Sequence, residues 1–172
     1  VSHGEPQPFL ALFNGQLALV DRALPQAVGW PDPLPVVLRW RAAAPSTADY
    51  RAVVALRDGE GIVWSSAEPW VLNGSFFPTS AWSPGEWTDG MYELSLPPGV
   101  PPGRYFVEVG LYDPATGAGQ GATRPDGTFA GTRVVIGEIA VEPPASPPRI
   151  DALEIPRRLD LSIGPLLSLI HI

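Results

Sequence analysis

The chain has 172 residues, 45% of them hydrophobic, enough for one domain with a sizeable core and some flanking sequence. A formal net charge of −7 argues against a phosphate-tracking nucleic-acid binder, which needs a basic stripe, and against electrostatic attachment to anionic lipid. Cysteine is absent, which removes disulfide, zinc-thiolate and thiol chemistry, and 22 Pro with 18 Gly suit short strands and turns better than long helices.

Residues 1–7 read as the remnant of an upstream linker, and 8–142 as the domain. The opening Phe9–Gly15 segment alternates apolar residues up to a glycine. Between Leu34 and Arg41, the residues Leu34, Val36, Leu38 and Trp40 share one strand face, with Arg39 and Arg41 on the other. Tyr50, Ala52, Val54 and Leu56 repeat the pattern opposite Arg51 and Arg57, and Asp58-Gly59-Glu60-Gly61 predicts a hairpin turn into Ile62-Val63-Trp64. Later strands place Tyr92, Leu94 and Leu96 together, then Tyr105, Val107, Val109 and Leu111. Val134 and Ile136 are in phase, but Ile139 and Val141 have the opposite parity. A bulge at Gly137 would return both pairs to the core.

Pro97-Pro98-Gly99, Pro101-Pro102-Gly103, Asp113–Gly117 and Arg124-Pro125-Asp126-Gly127 mark reversals between these strands. Such spacing predicts an all-β fold: an antiparallel two-sheet sandwich, immunoglobulin- or fibronectin-III-like, of seven to nine strands. Residues 143–157 read as a Pro-rich linker, and 158–166 as the possible first strand of a truncated second module. The last six residues, 167–172, can be encoded by a string that resembles a sequencing-library transposon adapter, and are expected to be adapter-derived.

The segments Val37–Ala42, Asp49–Asp58, Trp82–Glu86 and Pro101–Tyr105, followed by Val109–Asp113, occur in that order. Together they resemble a bacterial family of immunoglobulin-like modules, often in tandem, on the extracytoplasmic side of dolichyl-phosphate-mannose-type membrane glycosyltransferases. The chain departs from that pattern at Trp87-Thr88-Asp89, where the family usually has a less bulky residue after the Glu. The resemblance covers residues 8–142. It implies an extracytoplasmic structural or interaction module of a larger membrane-anchored protein, partnered by neighbouring domains of the same parent chain. It implies no catalytic residue.

Residue chemistry points the same way. The two histidines, His3 and His171, stand at the chain's extremes, and no GxSxG, HExxH, Walker or GxGxxG pattern occurs. Gly117–Gly121 reads as a loop tip, because no helix follows it to receive a phosphate. Glu86, Asp89, Glu93, Asp113 and Asp126 show neither a glycosidase-type pairing nor calcium-ligand spacing. No enzyme activity, cofactor or metal is therefore expected of this segment, nor insertion into a membrane. Pro84-Gly85 is expected to turn, Trp82 to cap the sandwich, Glu86 or Asp89 to accept loop N–H groups, and the Tyr105 hydroxyl to reach a backbone partner.

The aromatic content supports one alternative. Six tryptophans are many for this length, and Trp30, Trp70 and Trp87 fall in predicted loops with Phe76 and Phe77. Coplanar exposed rings stack on sugar faces, and Asn73, Glu86 and Asp89 would supply polar partners. These eight residues form the candidate site of a carbohydrate-binding module with a glycan partner. The competing account gives the rings a covering role at the sandwich ends.

Overall fold

A computed structural model describes residues 8–146. The expectations for 1–7 and for the segments beyond 146 lie outside the described residues. In chain order the strands are β1 (Ala11–Phe13), β2 (Leu17–Ala23), β3 (Ala27–Gly29), β4 (Leu34–Ala42), β5 (Arg51–Asp58) and β6 (Val63–Ala67). They continue, after a 3₁₀ turn at Thr79–Ala81, with β7 (Trp87–Leu94), β8 (Gly103–Asp113), β9 (Ala118–Gly119), β10 (Ala122–Thr123), β11 (Phe129–Gly131) and β12 (Arg133–Glu142).

Two sheets form, in the orders β11-β10-β1-β2-β4-β7 and β3-β12-β8-β5-β6, with β9 pairing β8. The fold is the immunoglobulin-like sandwich that alternation predicts. Seven strands have five or more residues. Five others, of two or three residues each, go beyond the seven to nine expected.

The period-two faces account for the core. Leu34, Val36, Leu38 and Trp40 are fully buried, as are Val54 and Leu56 opposite them and Val107 and Val109 beside those. The Trp40 ring lies 5.8 Å from Phe13, centroid to centroid, and its indole N–H donates to the Tyr92 hydroxyl at 3.1 Å. The register of β12 against β8 shifts between Val135 and Gly137. That bulge brings Val134, Ile136, Ile139 and Val141 all inward.

One pairing corrects the all-antiparallel expectation. β3 runs parallel to β12, with Ala27 opposite Ala140 and Gly29 opposite Glu142. After β2 leaves the first sheet, the chain keeps its direction through Leu24-Pro25 and pairs with the second. Continuing downward beside the descending β12 makes the pairing parallel.

The sandwich thus has two ends. One end gathers Gln16, Ala42, Tyr50 and Asp113, tied across the sheets by the Tyr50 hydroxyl donating to Gln16 Oε1 at 2.8 Å. The other gathers Leu34, Asp58, Gly103 and Glu142. At that second end the Tyr105 hydroxyl donates to the Pro101 carbonyl at 2.7 Å, the backbone partner expected of it.

Candidate functional site

Six of the eight candidate residues lie at the first end, in or beside the long β6–β7 connection. Its tip is built by Asn73. The Asn73 Oδ1 accepts N–H bonds from Ser75 and Phe77 at 3.0 and 2.9 Å, and the Phe77 carbonyl accepts from both the Asn73 N–H and the buried Trp82 indole. Asn73 Nδ2 donates to Glu86 Oε1, while Glu86 Oε2 accepts from the Ser83 N–H at 3.0 Å. Glu86 therefore receives a loop N–H as expected, and Trp82 caps the end. Pro84-Gly85 turns as expected, Gly85 at φ 91°. Phe76 sits at φ 63°, a strained conformation for a bulky residue, and is 81% exposed.

The rings do not share a plane. Trp70 lies on the outer face of the second sheet, its ring 5.4 Å from the Arg51 guanidinium. Trp87 lies on the outer face of the first sheet, 4.9 Å from the Arg39 guanidinium, where Pro8 and Val20 help to line the same recess. Trp30 is at the opposite end of the sandwich, half-buried against the core. Asn73, Phe76, Phe77 and Glu86 are brought together; Trp30, Trp70 and Trp87 are kept apart.

Asp89 departs from the role expected of it. It faces outward on β7, directly across from Arg39, and takes two bonds from that guanidinium at 2.7 and 2.9 Å rather than loop N–H groups. Strand register places the two side by side, and opposite charge does the rest. Two similar pairs, Arg57–Glu108 and Arg104–Glu138, run along the outer face of the second sheet.

Electrostatics on these faces follow from such contacts. Hydrogen bonds from Arg39 hold the Asp89 carboxyl below the usual carboxylate range, and those from Arg104 do the same for Glu138. Asp58 is lowered chiefly by the Trp64 indole N–H at 2.8 Å, and Asp126 by the Thr128 hydroxyl at 2.7 Å. Each of these four carboxyls is held toward its ionised form. Asp113 caps its own turn, accepting from Ala115 N–H and the Thr116 hydroxyl. Among the described residues no three His, Asp or Glu side chains converge as a metal site, and no helix is long and apolar enough to cross a membrane.

A recess that sequence reasoning missed lies on the outer face of the second sheet, toward the first end. Gly110 is flanked in register by Val53 on β5 and Arg133 on β12. One pair further along stand Gly119, Tyr112, Arg51 and Trp70 in a row across four segments. Beside Gly110 lies a hollow of about 330 Å³, walled by Glu68, Tyr112, Thr132 and Arg133 with Gly117 and Gly119 of the glycine loop. Gly110 is obligatory, since a Cβ there would stand 2.7 Å from the Thr132 carbonyl oxygen. The Tyr112 hydroxyl donates to Glu68 Oε2 at 2.8 Å, and that bond keeps it protonated well into alkaline solution. A lone glycine inside a strand pattern was the available signal.

No protein-family model matches the chain, and no curated protein matches it in sequence. Among solved structures it is similar to the C-terminal domain of Wzt, at 10% identity and a TM-score of 0.49, over 84% of each chain. It is also similar to a CARDB domain from Pyrococcus furiosus solved in complex with di-metal ions. That match has 9% identity and a TM-score of 0.42, over 83% of this chain and 98% of the other. Likeness at this level is one of fold outline, and no site or ligand is carried across from either.

Proposed function

We propose that this chain is a non-catalytic module, extracytoplasmic and tethered through a membrane-anchored, glycosyltransferase-like parent. There it docks against neighbouring domains of the same protein. The observation that carries the reading is the fate of the family-like motifs. Trp82 is buried as a cap, Gly85 turns, Tyr105 ties its strand to Pro101, and Asp58 staples its hairpin. These four motif residues are consumed by the architecture, which supports reading the resemblance as one of scaffold, with the chemistry left to the parent. Resemblance to modules on membrane glycosyltransferases supports the setting.

Because this segment has no cysteine of its own, a labelling test of location reads introduced cysteines, with the unsubstituted full-length protein as the control. Single variants Met91→Cys and Phe129→Cys, at side chains 81% and 70% exposed, would be placed in the full-length protein and treated with a membrane-impermeant maleimide. Labelling in intact cells is expected at one or both positions. Labelling only after lysis would place the module on the other side of the membrane and refute the setting.

Glycan recognition is a second reading. Exposure of Phe76 and Phe77 favours it, but the dispersal of Trp30, Trp70 and Trp87 denies it the flat platform first expected.

A further inference from the structure

We propose that the hollow above Gly110 binds a saccharide ring through vicinal hydroxyl groups. The inference rests on the chain being an interaction module, and it relocates the glycan contact from the loop aromatics to the outer face of the second sheet. At about 330 Å³ the hollow has the size of a small-ligand site.

Its chemistry narrows the ligand by elimination. Glu68 Oε2 is occupied by the Tyr112 hydroxyl, while Oε1 has no donor among the described residues. Arg133 makes no ion pair among them, unlike Arg39, Arg57 and Arg104. The free Arg133 donors and the free Glu68 acceptor therefore stand around one hollow. A simple anion would meet the Glu68 carboxylate, and a simple cation would meet the Arg133 guanidinium. An apolar ligand would leave both without a polar partner. Adjacent hydroxyls, each both donor and acceptor, satisfy the carboxylate and a guanidinium together. Val53, Gly117 and Thr132 border the space for the ring, and Tyr112 adds aromatic surface.

The test is amide-resolved NMR of the full chain, titrated separately with methyl α-mannoside, methyl β-glucoside and methyl β-galactoside to about 50 mM, enough to detect millimolar affinity. Sodium acetate and ammonium chloride serve as the simple-ion controls. Saturable shifts at Gly110, Gly117, Gly119 and Thr132 are expected with at least one glycoside. Affinity should fall by about tenfold in Glu68→Gln, a change at an exposed side chain, and persist in Phe76→Ser/Phe77→Ser. Three results would each overturn the proposal: no saturable shift with any glycoside, shifts unchanged by Glu68→Gln, or shifts confined to the Asn73–Phe77 loop. Stronger response to acetate than to any sugar would also overturn it. Failure here would leave the maleimide result, and the module reading, untouched.

Discussion

At the level of single residues, polar atoms in this molecule are spent on holding apolar ones in place. The Trp40 indole N–H is buried at the centre of the sandwich and has the Tyr92 hydroxyl as its partner. Tyr92→Phe keeps the ring but orphans that donor, and should cost about 1–3 kcal/mol, read as a fall in the urea midpoint with unchanged m-value. Gly90 belongs to the same arrangement, because a Cβ there would run into the Tyr92 hydroxyl. The carboxylates behave alike. Asp58, Asp89, Asp126 and Glu138 have lowered proton affinity in the fold, so their stabilisation is complete above the unfolded carboxyl range. It is lost as pH falls through the folded values. The thermal midpoint should therefore hold near neutrality and drop below about pH 4, with a shallower drop in Asp58→Asn, whose hairpin is no longer titratable. A midpoint insensitive to acid in the native chain would contradict this.

At the level of elements, the sheets separate what could be read in advance from what could not. Alternation put Leu34, Val36, Leu38 and Trp40 on one face, and Tyr105, Val107, Val109 and Leu111 on another; all are buried. The parity break around Gly137 was legible for the same reason, since one extra residue inverts every later side chain. Deleting Gly137 should turn Ile139 and Val141 to solvent and cost roughly 3–6 kcal/mol, from about 1.5–3 kcal/mol per buried side chain, measured by denaturant unfolding. Short strands were not legible. Two or three residues carry no measurable period, and β3 exists because β12 is there to receive it. The candidate site divides along the same line. Asn73 and Glu86 are close in sequence and meet, whereas Trp70 and Trp87 were grouped only because both fell in predicted loops, and they lie on opposite outer faces. The hollow at Gly110 is assembled from β5, β8, β9 and the start of β12, joined by register, so beyond the lone strand glycine no local pattern announces it. Gly110→Ala should destabilise the chain by about 1–3 kcal/mol, because the added methyl forces the Thr132 backbone to move. A thermal scan showing no loss would mean that the backbone there yields freely.

For the whole molecule, the apolar residues join two layers, and the outer faces carry ion pairs between neighbouring strands, directly opposite for Arg39–Asp89 and diagonal for the other two. Arg39–Asp89 marks the first sheet, and Arg57–Glu108 and Arg104–Glu138 mark the second. Under the proposed module reading, such carboxylates are structural fittings, and any reaction falls to the proposed parent protein. The most direct measurement replaces Glu86, Asp89, Glu108 and Glu138 by their amides in the full-length protein. Unfolding midpoint and parent activity per folded molecule are then measured together. The account predicts a lower midpoint with activity per folded molecule unchanged. An unchanged midpoint with activity lost would contradict it.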